Sequence, residues 1–255
     1  MNEKLLVLDN IRMNYGAIEA LKGISFSIGK GEVVALLGDN GAGKSTLVKI
    51  ISGGQQATSG RMIFEGKEYQ AKTPAEAKAA GIETVYQDLS LCTNVDVVGN
   101  FFMGRELTRK IAGIPFLDER AMEEITSKAL ASAGTRIPSM RGKVEHLSGG
   151  QRQAIELNRF VHWGGKLVLL DEPFAALGVE QTRRGLDMIR HVASQGIGVV
   201  IITHIMQQAF QVADRIVVIR HGVVAGDVEC SKTSPDAVIG MITGQTLAGA
   251  GPAAE

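Results

Sequence analysis

The stretch that most constrains this chain is GDNGAGKS, residues 38–45, set between the apolar run VVALL and the helix-forming run TLVKII. It fits the spacing G-x-x-x-x-G-K-[ST], and it stands where that spacing has a mechanical meaning, after a strand and before a helix. Glycines there let backbone N–H groups converge on an anion, and the helix start adds its positive dipole end. Gly38, Asp39, Asn40, Gly41, Ala42 and Gly43 therefore read as a phosphate cradle. Lys44 is placed to reach the β and γ phosphates of a nucleotide, Ser45 to hold Mg2+, and Thr46 to touch a phosphate nearer the base.

The rest of the chain supplies the α/β setting this loop needs. KLVLLDE and GVVIITH carry continuous apolar runs without alternation, as strands buried on both faces do. Helix-like pieces such as TPAEAKAAG and GVEQTRRGLDMIRHVASQG separate the strands, which argues for a largely parallel sheet. LLVLDNIRMNY and GISFSI, before the loop, read as further strands, and RIVVIRHGVVAGDVE as a hairpin turning at His221 and Gly222. Residues 89–144 offer helix-like stretches and no strong strand, so they read as a helical lobe inserted into a core of about 1–88 and 145–246. The small-residue end, 247–255, has little to bury and is expected to fray.

Composition excludes several classes. Lys plus Arg number 27 and Asp plus Glu number 27, so no net field draws a polyanion, and a nucleic-acid partner is not expected. No apolar run approaches the roughly 20 residues of a membrane-spanning helix. The beginning, MNEKLLVLDN, carries acidic residues and no long apolar stretch, so a cytoplasmic chain is expected. Cys92 and Cys230 are too few and too far apart for a disulfide framework or a metal site.

Two further stretches carry chemistry. In KLVLLDEP, Asp171 follows four apolar residues and so stands at the carboxyl edge of a buried strand, where open α/β sheets bind ligands. An acid there can orient Mg2+, and Glu172 can face an attacking water; the plainer reading is that both cap the next segment. The second stretch is LSGGQRQ, residues 147–153, a serine-glycine turn opening a helix and thus a second anion site in one small domain.

The order of these three motifs resembles the nucleotide-binding subunit of ABC transporters, over residues 5–244. The resemblance implies a P-loop NTPase (RecA-like) core, an N-terminal antiparallel β subdomain and an inserted α-helical subdomain. It implies ATP hydrolysis with Mg2+ by two subunits packed head to tail. Ser148, Gly149, Gly150 and Gln151 of one chain would then close over the γ phosphate gripped by Lys44 of the other. That answers why one chain needs two anion sites. By position, Tyr15 matches the aromatic that stacks on adenine, although it also reads as an ordinary strand tyrosine. Gln87 matches the glutamine that touches Mg2+ and the attacking water, and His204 the switch histidine at the γ phosphate, which alone reads as structural. Gly178 departs from the pattern, standing where an interface aspartate is usual, and NRFVHWGGK, with the only tryptophan, departs from the small and aliphatic residues more usual there. Phe101 to Met103 belong either to a groove for a permease or to core packing.

Within the family, GIETVYQDLSLCTNVDVVGNFFMGRE and DEPFAALGVEQ are most similar to ATPases of ribose-, xylose- and fructose-type monosaccharide importers. The resemblance implies a homodimer with composite ATP sites, peripheral on the cytoplasmic membrane face, under permease subunits and served indirectly by a sugar-binding protein. A non-transport or regulatory ABC-type ATPase is the alternative.

Overall fold

The computed structural model describes residues 3–85, 91–132, 134–163, 165–174 and 178–245. β1 (Lys4–Tyr15) and β2 (Ile18–Gly29) form a long hairpin, and β3 (Val33–Leu37) then leads into α1 (Lys44–Ile51). The chain returns to the first sheet as β4 (Ser59–Phe64) and β5 (Lys67–Tyr69), giving an antiparallel sheet in the order β2-β1-β4-β5. α2 (Pro74–Ala80) follows, with Pro74 at its first position and the Thr73 hydroxyl accepting from the Glu76 N–H, and it turns the chain into β6 (Ile82–Val85).

The lobe comes next: α3 (Val97–Phe102), β7 (Thr108–Ile111), β8 (Ile114–Leu117), α4 (Glu119–Ser132) and a 3-10 turn at Val144–His146. α5 (Gly149–His162) joins it to the core, which continues through β9 (Leu167–Asp171), α6 (Val179–Ser194), β10 (Gly198–Ile202), α7 (Met206–Val212), β11 (Arg215–Arg220), β12 (Val223–Glu229) and α8 (Pro235–Thr243). β11 and β12 make the expected hairpin, with His221 and Gly222 at φ 49° and 81° in its turn.

The main sheet runs β12-β11-β3-β10-β9-β6, parallel except for β12. Alternate residues of its central strands enter opposite cores. Val34, Leu36, Leu167, Leu169, Val200 and Ile202 face a cluster shared with the antiparallel sheet and α1. Val33, Ala35, Leu37, Val168, Leu170, Val199 and Ile201 face one shared with α6, α7 and α8. With both faces covered, these strands have no use for polar alternation.

The lobe has its own apolar clusters. One joins Leu91, Val97, Leu130, Val144, Leu147 and Ile155; the other joins Val98, Phe101, Phe102 and Met122, with Trp163 packed against it. Phe101 and Phe102 are fully buried, so this part of the FFM triplet is core and not an open groove. The lobe also departs from its helical reading by holding the β7–β8 hairpin. Four-residue strands give almost no period to read, and Pro115 weakens the strand signal on an edge.

Candidate functional site

Register aligns the carboxyl ends of the central strands. Ile202 stands opposite both Leu36 and Asp171, so Gly38, Glu172 and Thr203 leave the sheet along one edge. At Gly38, φ is 149° and an added Cβ would lie 2.1 Å from the Ile219 carbonyl oxygen, which excludes every other residue. Gly41 and Gly43 also have positive φ, at 79° and 110°. The Gly222 N–H donates to the Ala42 carbonyl at 3.0 Å, seating the loop on the β11–β12 turn. The first N–H groups of α1 have no partner within their own helix and form the floor of an anion site.

Lys44 Nζ donates to the carbonyls of Gly38 at 2.7 Å and Asp39 at 2.9 Å. Burial lowers its pKa, while the charges of Glu172, Asp171 and Asp39 oppose that shift. Asp171 shows the converse: burial and then the neighbouring charge of Glu172 raise its pKa, against Lys44 and Lys49. The residues predicted from separate motifs thus share one electrostatic field. The sequence motifs do not mark Lys49, although it lies four residues beyond Ser45 on the same helix face.

Glu172 sits at φ 49°, a left-handed conformation costing about 1–2 kcal/mol for a residue with a side chain. Its N–H donates to the Ile202 carbonyl at 2.9 Å, and its Oε1 lies 2.9 Å from His204 Nδ1. This contact crosses from the end of β9 to the end of β10. Thr203 fixes the second end, accepting from the Ile205 N–H and donating to Gln208 Oε1. Tyr15, exposed at the end of β1, donates its hydroxyl to Gln55 Oε1 at 2.6 Å, a partner no sequence signal marked. Gln87 lies outside the described residues.

Ser148 opens α5 with a reciprocal cap. Its hydroxyl accepts from the Gln151 N–H at 3.3 Å, and its own N–H donates to Gln151 Oε1 at 3.0 Å. Gln151 Nε2 also donates to the Arg136 carbonyl, and Arg152 to those of Leu147 and Glu145, so the turn is fastened to the lobe. Ser148, Gly149, Gly150 and Gln151 are therefore tied to the lobe. At the other end of α5, Trp163 Nε1 donates to the Phe101 carbonyl, the ring meets Phe102 edge-on at 5.3 Å, and the Arg105 guanidinium lies 5.0 Å from its centroid. This contact gives NRFVHWGGK a role: it locks α5 to α3.

Gly178 precedes α6 and accepts from the Thr182 N–H, followed by Val179, which is 91% exposed. Among the described residues, no group of three or more His, Cys, Asp or Glu side chains is placed to hold a metal.

A family model described as ABC transporter matches residues 21–175. The xylose/arabinose import ATP-binding protein of Sulfolobus acidocaldarius is 44% identical over 95% of this chain and 95% of its own length. The fructose import ATP-binding protein of Rhizobium meliloti is 42% identical over 86% of each. Among solved structures, an ATP-binding cassette of an ABC transporter in its ADP conformation superposes with a TM-score of 0.79 at 26% identity, covering 96% of this chain and 100% of that one.

Proposed function

This chain belongs to the ABC transporter family of ATP-binding subunits, and from that premise we propose that it hydrolyses ATP to drive monosaccharide import through partner membrane subunits. The observation that carries the reading is the division of anion sites. The phosphate loop, Asp171, Glu172 and His204 share one sheet edge, while the Ser148 turn is held on a separate lobe. A second copy packed head to tail completes each site, so bound ATP becomes part of the interface and its hydrolysis releases it. The two sugar-import relatives named above are matched over 95% and 86% of their own lengths, and the assembly proposed is a homodimer. No helix among the described residues is long and apolar enough to cross a membrane, which suits a peripheral subunit on the cytoplasmic face beneath a permease.

Within each site, Tyr15 takes the adenine and the loop from Gly38 to Thr46 the phosphates. Ser45 and Asp171 fit Mg2+: both offer oxygen donors, and the charges of Asp171 and Glu172 act on Lys44 of the loop, which puts the acids beside it. When bound, Mg2+ neutralises charge on the β and γ phosphates. Glu172 orients the attacking water and takes its proton, held by the 2.9 Å contact to His204, whose other ring nitrogen is left for the γ phosphate. Gln87 is the proposed further contact to Mg2+ and water. A sugar-binding protein outside the membrane would select the cargo.

The test is Glu172→Gln. Phosphate release should fall about 100-fold or more, the loss expected of a removed general base, with ATP binding kept and the dimer trapped. A gene carrying this change should fail to restore uptake of labelled pentose or hexose in a deletion strain. Turnover at the parent rate would refute the assignment.

A further inference from the structure

We propose that the β7–β8 hairpin is a membrane-contacting finger that seats its apolar tip in an anionic lipid surface. It forms a two-stranded sheet of its own, paired with no other strand among the described residues. Nine large apolar residues are exposed among the described residues, and four of them, Ile111, Ile114, Phe116 and Leu117, fall on these eight strand positions, each about half exposed. So dense a cluster marks a contact surface and not the scatter normal on a soluble chain.

The arrangement along the finger favours lipid. Ile111 stands opposite Ile114 at the tip, joined through Ala112 and Gly113 at φ 50° and 83°, so the turn adds no polar side chain. Behind the tip, Lys110 faces Pro115 and Arg109 faces Phe116. At about 3.4 Å per residue the two cations lie roughly 3–7 Å behind the isoleucines. That offset matches the depth of about 5–10 Å at which surface-seated elements hold apolar residues below the headgroups. Residues 107–117 contain these two cations and no carboxylate, which complements anionic headgroups.

Shape points the same way. A projecting apolar tip offers no concavity for a partner helix, whereas fluid lipid closes around it. The neighbouring groove is lined by three carboxylates, Glu119, Glu123 and Glu124, and by four cations, Arg109 among them, with Leu117 on its wall, so the finger enters tip first, through Ile111 and Ile114. This inference goes beyond the proposed transport reading, since it needs neither nucleotide nor permease.

The full chain, sedimented with vesicles of equal parts phosphatidylglycerol and phosphatidylcholine, should bind, and should bind more weakly to phosphatidylcholine alone or at raised ionic strength. Ile114→Glu and Phe116→Glu should each weaken binding about tenfold or more, the ratio that burial of one such side chain represents. Arg109→Gln with Lys110→Gln should weaken it on anionic vesicles only. Because the altered residues are exposed and lie outside the nucleotide machinery, phosphate release in solution should stay at the parent rate, which separates this idea's failure from failure of the ATPase reading. Absent binding by the parent chain, or equal binding by Ile114→Glu, overturns the proposal. So does an Ile114→Glu chain that keeps its vesicle binding but no longer associates with detergent-solubilised permease subunits.

Discussion

Ser148 has two separable jobs in this account, and two substitutions pull them apart. Alanine removes the hydroxyl that accepts from the Gln151 N–H at 3.3 Å, leaving only the reverse bond of the cap. Loss of such a cap costs about 1 kcal/mol. For a chain of this size that lowers Tm by roughly 2–4 °C. Aspartate keeps an acceptor in place, and its charge suits a helix start, so stability of the free monomer should change by less than about 0.5 kcal/mol. Across the interface the same carboxylate would face the γ phosphate of the partner's nucleotide. Like charges about 4 Å apart at an effective dielectric constant of about 20 repel by roughly 4 kcal/mol. That repulsion is close to a thousandfold for each site, and a homodimer makes the contact twice. Urea unfolding of the monomer and light scattering of the ATP-dependent dimer, both in a Glu172→Gln background, read the two effects separately. Ser148→Asp dimerising like its parent, or both variants losing stability and dimer in step, would refute the reasoning.

The remaining expectations concern the loop and the acid pair. Gly38→Ala should cost at least about 3 kcal/mol in denaturant unfolding, from a strained φ joined to a Cβ 2.1 Å from the Ile219 oxygen. Gly41→Ala meets nothing within 4 Å and should cost only the left-handed penalty of about 1–2 kcal/mol, so similar losses at the two sites would contradict the geometry. Asp171→Asn should raise Tm at neutral pH while impairing phosphate release. The sign follows from a folded pKa raised above the ordinary 3.8: the ionised form costs stability above that range, and the penalty fades as pH falls through it. A variant advantage that persists well below pH 3.8 would show the gain has another source.

Some of this was legible in the sequence and some was not, for identifiable reasons. The phosphate loop is legible because Gly38 and Gly43 sit where a Cβ would strike backbone or Leu21, so the spacing itself encodes the geometry. Asp171 is legible because four buried apolar residues before it fix which strand end it occupies. The Glu172–His204 contact joins residues 32 apart, and only the parallel register of β9 and β10 brings them together. Exposure is a tertiary property, which is why FFM could not be told from a groove and why the apolar residues of β7 and β8 gave no warning of standing in solvent. Trp163 likewise acquires its role only through α3, some 60 residues earlier in the chain.

The claim on which everything rests is that each ATP site is finished by another molecule. Two differently tagged populations test it, one carrying Asn40→Cys and the other Ser148→Cys, both with Cys92 and Cys230 replaced by alanine and Glu172 by glutamine. Mixed under mild oxidation, they should form a disulfide-linked species bearing both tags when ATP is present, and little without it. No doubly tagged product with ATP, or equal yields with and without nucleotide, would contradict a site shared across the interface.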